Sequence, residues 1–387
     1  MSASGYSSSL WSVLKADLQD RLGGNKSRAN ARWGLLKSIP GRGKLIWVRA
    51  GSSYESVLLA SEIAGALHQK RLDVRIVFTF EQDYPHVYLP RFKDLERIAY
   101  GFGCCDLPSV VKRVLERWNP FGVISVYDLP GANLSKQCQA LGLHTVNVHT
   151  AHPMIECEAW YPHLLEDSPS ASPKYQQEAS DLFSLLVNPQ VEPSLKPALG
   201  ANSEQRIFFF GKLAPTAVQS LLSLWQDSRS WRKDYLCVST DESFGQGSAT
   251  FKSVISCSGL PYQYLSTWNR SPLPPETLLI ADQPRWVSAL ASAADQTVIS
   301  GKNPLEFWQV LAAGGTLRLT STGEKWSKLL KNMGNYSFSW ESWLAQNSNH
   351  ISPMDRKTQD AQRQVFWQYR RAAQAVLDEL LQRVFDW

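Results

Sequence analysis

Gln296-Thr-Val-Ile-Ser-Gly-Lys-Asn-Pro-Leu-Glu306, continued by the apolar residues Phe307 to Ala313, reads as a strand, a small-residue turn and a helix start in direct succession. Ser300, Gly301 and Lys302 form the turn, and Asn303 and Glu306 stand at the helix start. Backbone N–H groups at such a start point at anions, and a first-turn carboxylate can accept hydrogen bonds from ribose hydroxyls. The stretch therefore predicts a seat for a nucleotide on a parallel α/β sheet.

The same rhythm fills the first half of the chain. Lys44 to Val48 is a compact apolar strand, followed by the turn Arg49 to Ser53 and a helix over Glu55 to Gln69. Further strands are expected at Leu72 to Thr79, Arg97 to Gly101, Gly122 to Tyr127 and His144 to Val148. Helices at Leu107 to Trp118 and Leu134 to Leu141 fall between them. Strands alternating with helices of about 10–15 residues indicate βαβ units. Residues 166–200 are rich in Pro, Ser and Glu, carry one helical patch at Gln176 to Leu186, and read as a crossing between domains. Beyond it, strands at Arg206 to Phe210, Asp234 to Ser239, Thr277 to Ile280 and Thr297 to Ser300 alternate with helices at Pro215 to Trp225, Pro284 to Ala293 and Leu305 to Ala313. An amphipathic helix closes the chain from Arg356. The expected fold class is α/β, with two doubly wound, Rossmann-like domains facing a central cleft. The acceptor-side domain would span 1–165, a linker 166–200 and the donor-side domain 201–355, with the helix 356–387 packing back on them.

At 387 residues the chain exceeds what one core usually supports. Its 43% hydrophobic and 19% charged residues form an ordinary globular balance. A net charge of +5 is too mild for a nucleic-acid binder, and no Lys/Arg cluster is interleaved with aromatics as a stacking surface requires. It suits phosphorylated ligands or an anionic membrane face. The six cysteines show neither a CxxC pair nor metal-ligand spacing, and read as reduced, mostly buried thiols of a cytosolic protein. Met1 to Leu10 is polar and Ser-rich and no run approaches the ~18–20 apolar residues of a membrane span, so neither a signal peptide nor a span is expected from these residues. Leu10, Trp11, Val13, Leu14, Leu18 and Leu22 lie at helical spacing; such a helix either packs on its domain or lies on a membrane surface. Among 15 tryptophans, Trp11, Trp225, Trp286, Trp308 and Trp367 fall in expected helices. Core packing is their ordinary role, and a place at a membrane interface is the alternative.

In an open α/β sheet, ligands bind beyond the carboxyl ends of the strands. In the first domain those ends carry Arg49 to Glu55, Asp128 to Asn133 and Asn147 to His152. In the second they carry Gly211-Lys212, Ser239 to Gly247, Asp282-Gln283 and Gly301 to Glu306. Glu55 is the acid/base candidate, because a carboxylate at a strand-to-helix turn needs only reach to a substrate hydroxyl and a raised pKa. The same position also suits a plain partner of the helix dipole. Asp128 either orients a substrate or caps its turn. His149 and His152 admit a metal, a substrate or phosphate contact, or a plain loop; no third ligand is spaced nearby, and a metal is not expected. Lys212 either meets a phosphate or is a surface lysine. Ser243 to Ser248 is Gly-rich without being a P-loop or a dinucleotide fingerprint. Hydrolase chemistry has no support in a Ser/His/Asp order or a GxSxG elbow.

Taken together, residues 15–330 resemble the 3-deoxy-D-manno-octulosonic acid (Kdo) transferases of lipid A assembly, which are two-domain GT-B glycosyltransferases. The family's Arg-Leu-Gly, Leu-Ile-Trp-Ile-His-Ala and Ser-Val-Gly-Glu segments look like Arg21-Leu22-Gly23, Leu45 to Ala50 and Ser53-Tyr54-Glu55. This resemblance puts Glu55 on the position of the family's general base. Its Glu-Leu-Trp-Pro-Asn motif is similar to Asp128 to Asn133, and its Val-Asn-Ala-Arg strand end to Val146-Asn147-Val148-His149. The donor-side Gly-Gly-His-Asn-Pro-Leu-Glu-Pro motif corresponds to Asn303-Pro304-Leu305-Glu306, with Lys302 at the place of the His and Ser300 or Gly301 at that of the second Gly. The family's Gly-Ser-Thr segment survives only as Gly211 to Pro215, and its basic His-Pro-Glu-Arg loop has no counterpart near Ser239 to Ser248.

The resemblance implies an inverting transferase that moves Kdo or a related sugar from a CMP-sugar donor to a lipid A-like acceptor in lipopolysaccharide biosynthesis. Glu55 would be catalytic. Arg49, Ser53, Asp128, Asn147 and His149 would lie on the acceptor side, and Lys212, Gly301, Lys302, Asn303 and Glu306 on the donor side. No cofactor or metal is expected beyond the donor, and no nucleic acid. The implied partners are a nucleotide sugar and a lipid A-like glycolipid, and the implied location is the cytoplasm, with the enzyme either free there or peripheral on the cytoplasmic face of the inner membrane. The worn motifs leave an alternative: a catalytically degenerate GT-B scaffold acting as a binding or assembly protein.

Overall fold

A computed structural model describes residues 9–36, 41–127, 131–150, 157–164, 180–188, 195–202, 204–213, 215–227, 232–240, 249–300, 303–320, 326, 337–338 and 356–387. They divide into two units, Met1–Leu182 with Ala372–Trp387, and Phe183–Arg371.

The first unit opens with α1 (Leu10–Leu22) and α2 (Lys26–Arg32) before its sheet begins. There follow β1 (Leu45–Ala50), α3 (Tyr54–Lys70), β2 (Arg75–Phe80), α4 (Pro85–Phe92), β3 (Ile98–Phe102) and α5 (Pro108–Trp118). After them come β4 (Gly122–Val126), α6 (Ala132–Ala140), β5 (His144–Val148) and β6 (Ala159–Tyr161). The strands form one parallel sheet in the order β3-β2-β1-β4-β5-β6. Strand order reverses between β1 and β4, the kind of switch point beside which α/β sheets open a crevice. Every residue of β1 and β4 is buried, as in a sheet covered on both faces. Trp47 sits in register with Val77 and Val123, meets the ring of Trp118 edge-on at 5.1 Å, and donates its indole N–H to Thr79 Oγ1 at 2.8 Å.

The second unit carries α7 (Leu195–Ala198), β7 (Ile207–Leu213), α8 (Pro215–Gln226), β8 (Tyr235–Thr240), α9 (Ala249–Cys257) and β9 (Tyr262–Tyr264). It continues with β10 (Leu278–Ala281), α10 (Pro284–Ala293), β11 (Gln296–Ile299), α11 (Pro304–Ala313), β12 (Leu317–Thr320) and β13 (Ser337–Phe338). Its parallel sheet runs β13-β12-β11-β7-β8-β10-β9. Here the switch point falls beside β7. Phe208, Phe210, Leu236, Val298 and Ile280 pack with Val218, Leu221 and Trp225 of α8 into one core, in which the Phe208 and Trp225 rings lie 5.7 Å apart.

The final helix, α12 (Arg356–Phe385), contributes to both units. In the first, Asp378 pairs with Lys70 at 2.7 Å, Arg71 donates to Phe385 O at 2.7 Å, and the Trp387 ring stacks on His144 at 5.0 Å. Gly122 is a glycine because of this packing: a Cβ there would stand 2.2 Å from the Trp387 ring. In the second unit, Arg363 donates to Ala313 O, and Arg370 donates to Ser184 O at 3.0 Å and to Val187 O at 2.6 Å. Trp225, Trp286 and Trp308 are buried, whereas Trp11 is 82% and Trp367 43% exposed. Among the described residues, no helix is long and apolar enough to cross a membrane.

Candidate active site

In the second unit, the carboxyl ends of β7, β8 and β11 meet around one carboxylate. Asn303 caps α11 by accepting the Glu306 N–H at 2.9 Å, and Pro304 fills the first helical position, where no N–H is needed. This fixes Glu306 in the first turn, 2% exposed. Ser239, near the end of β8, donates its hydroxyl proton to Glu306 Oε1 at 2.8 Å and accepts the Lys212 N–H at 2.8 Å. The register between β7 and β8 shifts between Phe210 and Leu213. Gly211 and Lys212 form the bulge, and Lys212 takes φ 29°, a left-handed value uncommon outside glycine. Gly211 leaves room for the carboxylate, since a Cβ there would stand 2.2 Å from Glu306 Oε1. Lys212 is buried, so it is not the surface lysine that one of its two readings expected.

In the first unit, Ser53 caps α3 by accepting the Ser56 N–H at 3.1 Å. Ser56 ties the switch point together: its hydroxyl accepts the Gly51 N–H at 2.7 Å and donates to Val126 O at 2.8 Å, joining the ends of β1 and β4. Glu55 stands half-buried in that first turn. Beside it, the Tyr54 ring meets Tyr84 edge-on at 5.7 Å and stacks with His86 at 6.0 Å. Burial, with the charge of Glu55 adding to it, pushes the Tyr54 phenol well above its ordinary range. Burial pushes the His86 imidazole down.

Arg49 and Asn147 are both in register with Ser125, so the three share one face across β1, β4 and β5. Arg49 is buried, 5.2 Å from the Trp47 ring. Burial pushes the Cys104 and Cys138 thiols up to about 12, against the opposing charge of Arg49 beside both. His149 is buried at φ 53°. Its Nε2 accepts the Leu182 N–H at 2.8 Å, which leaves the proton on Nδ1 to donate to Tyr161 O at 3.3 Å. Burial, with the neighbouring His163 adding to it, pushes His149 down to about 3, so it is neutral at pH 7. His163 in turn meets buried Asp181 at 2.9 Å. His149 thus fastens the end of β5 to Leu182 within the fold. Asp128, Gly301, Lys302, His152 and the Ser243 to Ser248 run lie outside the described residues.

The structure therefore brings Ser53 next to Glu55, Arg49 into a row with Asn147, and Lys212 onto the Asn303–Glu306 turn. Sequence reasoning did not single out Ser56 or Asp106. Asp106 accepts the Asn133 N–H at 3.0 Å and the Leu134 N–H at 2.9 Å, capping α6 from 27 residues away. Local spacing carries no signal for such a cap, and it fills the α6 N-terminus from inside the fold.

No family model matches the chain, and no curated protein matches it. Solved structures do. The chain is similar to UGT2 of Phytolacca americana complexed with UDP-2fluoro-glucose and pterostilbene, at 9% identity and TM-score 0.51, over 89% of this chain and 100% of that one. It is also similar to MurG of Acinetobacter baumannii, at 11% identity and TM-score 0.48, over 88% and 99%. Identities this low are a likeness of fold. With the two parallel sheets, the likeness to UGT2 defines a two-domain α/β protein of GT-B fold.

Proposed function

We propose that this chain is an inverting glycosyltransferase that moves Kdo or a related sugar from a CMP-sugar donor to a hydroxyl of a lipid A-like acceptor. The observation that carries the reading is Glu55, held by the Ser53 cap in the first turn of α3 beside the β1/β4 switch point. Its carboxylate takes the proton of the acceptor hydroxyl as that oxygen attacks the anomeric carbon. The bond from that carbon to the donor phosphate breaks, its electron pair leaves on the phosphate, and the products are the inverted glycoside and CMP. Arg49, Ser53, Asp128 and Asn147 form the acceptor side of this reading; His149, whose two ring nitrogens are bonded to Leu182 and Tyr161, holds the end of β5 in place. On the donor side, Asn303 and Glu306 hold the nucleotide, and Lys212, Gly301, Lys302 and the N–H groups opening α11 meet the charge on the leaving phosphate. The reaction as written uses no cofactor beyond the donor and places the enzyme at the cytoplasmic face of an inner membrane. Because the UGT2 structure holds a UDP sugar, UDP sugars belong in the donor screen beside CMP-Kdo. The test is incubation with each donor and a lipid A precursor, read by mass spectrometry. A glycosylated precursor is expected, and failure of every donor to give one overturns the reading.

One observation favours a second reading, a GT-B scaffold without turnover. The Glu306 carboxylate is buried and already bonded to Ser239 Oγ. Calorimetric titration with CMP and UDP separates the two. Micromolar binding weakened by Glu306→Gln supports a working donor site, and no heat with either nucleotide supports the scaffold.

A further inference from the structure

The outward face of α1 is built from large apolar side chains. Leu10, Leu14, Leu18 and Leu22 recur every fourth residue with Trp11 among them, and at about 100° per residue the five span an arc of about 120°. They are 53%, 41%, 57%, 80% and 82% exposed in that order, Trp11 last. The residue that α1 buries is Val13, which joins the core of Trp47, Val110 and Val114. An amphipathic helix at this place could have packed its apolar face on its own domain; instead that face is turned to solvent.

The charges are sorted in the same sense. Both acids of α1 are turned inward and paired. The Asp17 side chain is 15% exposed, 2.8 Å from Arg21, and accepts the Trp33 indole N–H. The Asp20 side chain is 12% exposed and meets Arg32 at 2.5 Å and Arg28 at 3.8 Å. Lys15 is exposed and Arg21 half-exposed. On the helical wheel Lys15 lies just past one end of the apolar arc, and Arg21 lies within its other end. Lys26, at the start of α2, is exposed as well.

We infer that this face of α1 binds the surface of an anionic lipid bilayer. The helix would lie in the interfacial plane, with Trp11 and the four leucines in the acyl boundary and Lys15, Arg21 and Lys26 among the headgroups. A helix with an apolar arc, flanking cations and an exposed tryptophan is the interfacial pattern, because long cationic side chains reach back to the headgroups while the apolar arc leaves water. A second copy of this chain is the poorer occupant. Its α1 would bring the same cations against these, and one face of a 13-residue helix is small beside the ~20–30 residues a side of a standard protein interface. The inference does not depend on the transfer reaction, since lipid binding needs neither donor nor Glu55.

The test is co-sedimentation of the full chain with phosphatidylcholine vesicles, with and without phosphatidylglycerol, at low and high salt. The account expects binding to the phosphatidylglycerol vesicles that weakens in high salt. It expects binding at least about tenfold weaker in the variant Trp11→Ser/Leu18→Ser and weakened by Lys15→Glu. Melting temperatures should stay unchanged, because these side chains are exposed. Absence of binding to the anionic vesicles, or equal binding by the Trp11→Ser/Leu18→Ser variant, overturns it. So does a wild-type dimer that the same substitutions dissociate while vesicle binding is absent, since that assigns the face to a second copy.

Discussion

Ser239 Oγ lies 2.8 Å from Glu306 Oε1, and this one hydrogen bond joins the end of β8 to the first turn of α11. The same oxygen accepts the N–H of Lys212 on the β7 bulge, so three elements of the second unit converge on one hydroxyl. Ser239→Ala removes that shared partner from a buried carboxylate and a buried N–H, and should cost about 1–3 kcal/mol in urea unfolding of the second unit. Gly211→Ala places a methyl group where the carboxylate sits and should cost a similar ~1–3 kcal/mol by overpacking. Both variants should also weaken nucleotide binding. Wild-type midpoints in both would contradict the geometry described for this corner.

Asp106 is a cap supplied from outside its helix. Asp106→Ala leaves the N–H groups of Asn133 and Leu134 without their acceptor and should destabilise the first unit by about 1–2 kcal/mol. Hydrogen exchange gives the local check: amides in the first turn of α6 should exchange faster, while those of α3 stay protected.

His149 predicts a pH dependence. Its imidazole is pushed down to about 3 in the fold, against about 6.5 when unfolded. Between these values the unfolded chain binds the extra proton, so this contribution to stability is intact above pH ~6.5 and is lost progressively as pH falls toward ~3. Over that window the slope approaches ~1.4 kcal/mol per pH unit for one proton. Urea midpoints of the first unit at pH 7, 5.5 and 4.5 should fall in the wild type and fall less in His149→Gln. Equal slopes would show that another group governs the acid side.

Much of the architecture was legible in the sequence, because the strands of a doubly covered parallel sheet are short apolar runs. β1, β4, β7 and β11 all begin within two residues of their expected starts. Shorter elements were not. β6, β9 and β13 are too brief to show a period, and α4 carries Pro90 in its interior, which breaks the helical pattern. At the site, the Asn303 cap and the placement of Glu306 in the first turn of α11 follow from adjacent residues, so a local pattern could signal them. Ser56, Ser239 and Asp106 act through hydrogen bonds to strands or helices 27 to 70 residues away. Only the fold brings those partners together. The burial of Lys212 has the same origin, because it depends on the bulge that sets Gly211 against Glu306.

The account rests most heavily on Glu55 as the base. The most direct measurement is the single-turnover rate of sugar transfer by Glu55→Gln, with nucleotide affinity measured alongside. A drop of about 100-fold or more in transfer, with unchanged nucleotide affinity and an unchanged melting temperature, is the predicted result. Transfer at the wild-type rate would contradict the assignment of Glu55 and the mechanism built on it.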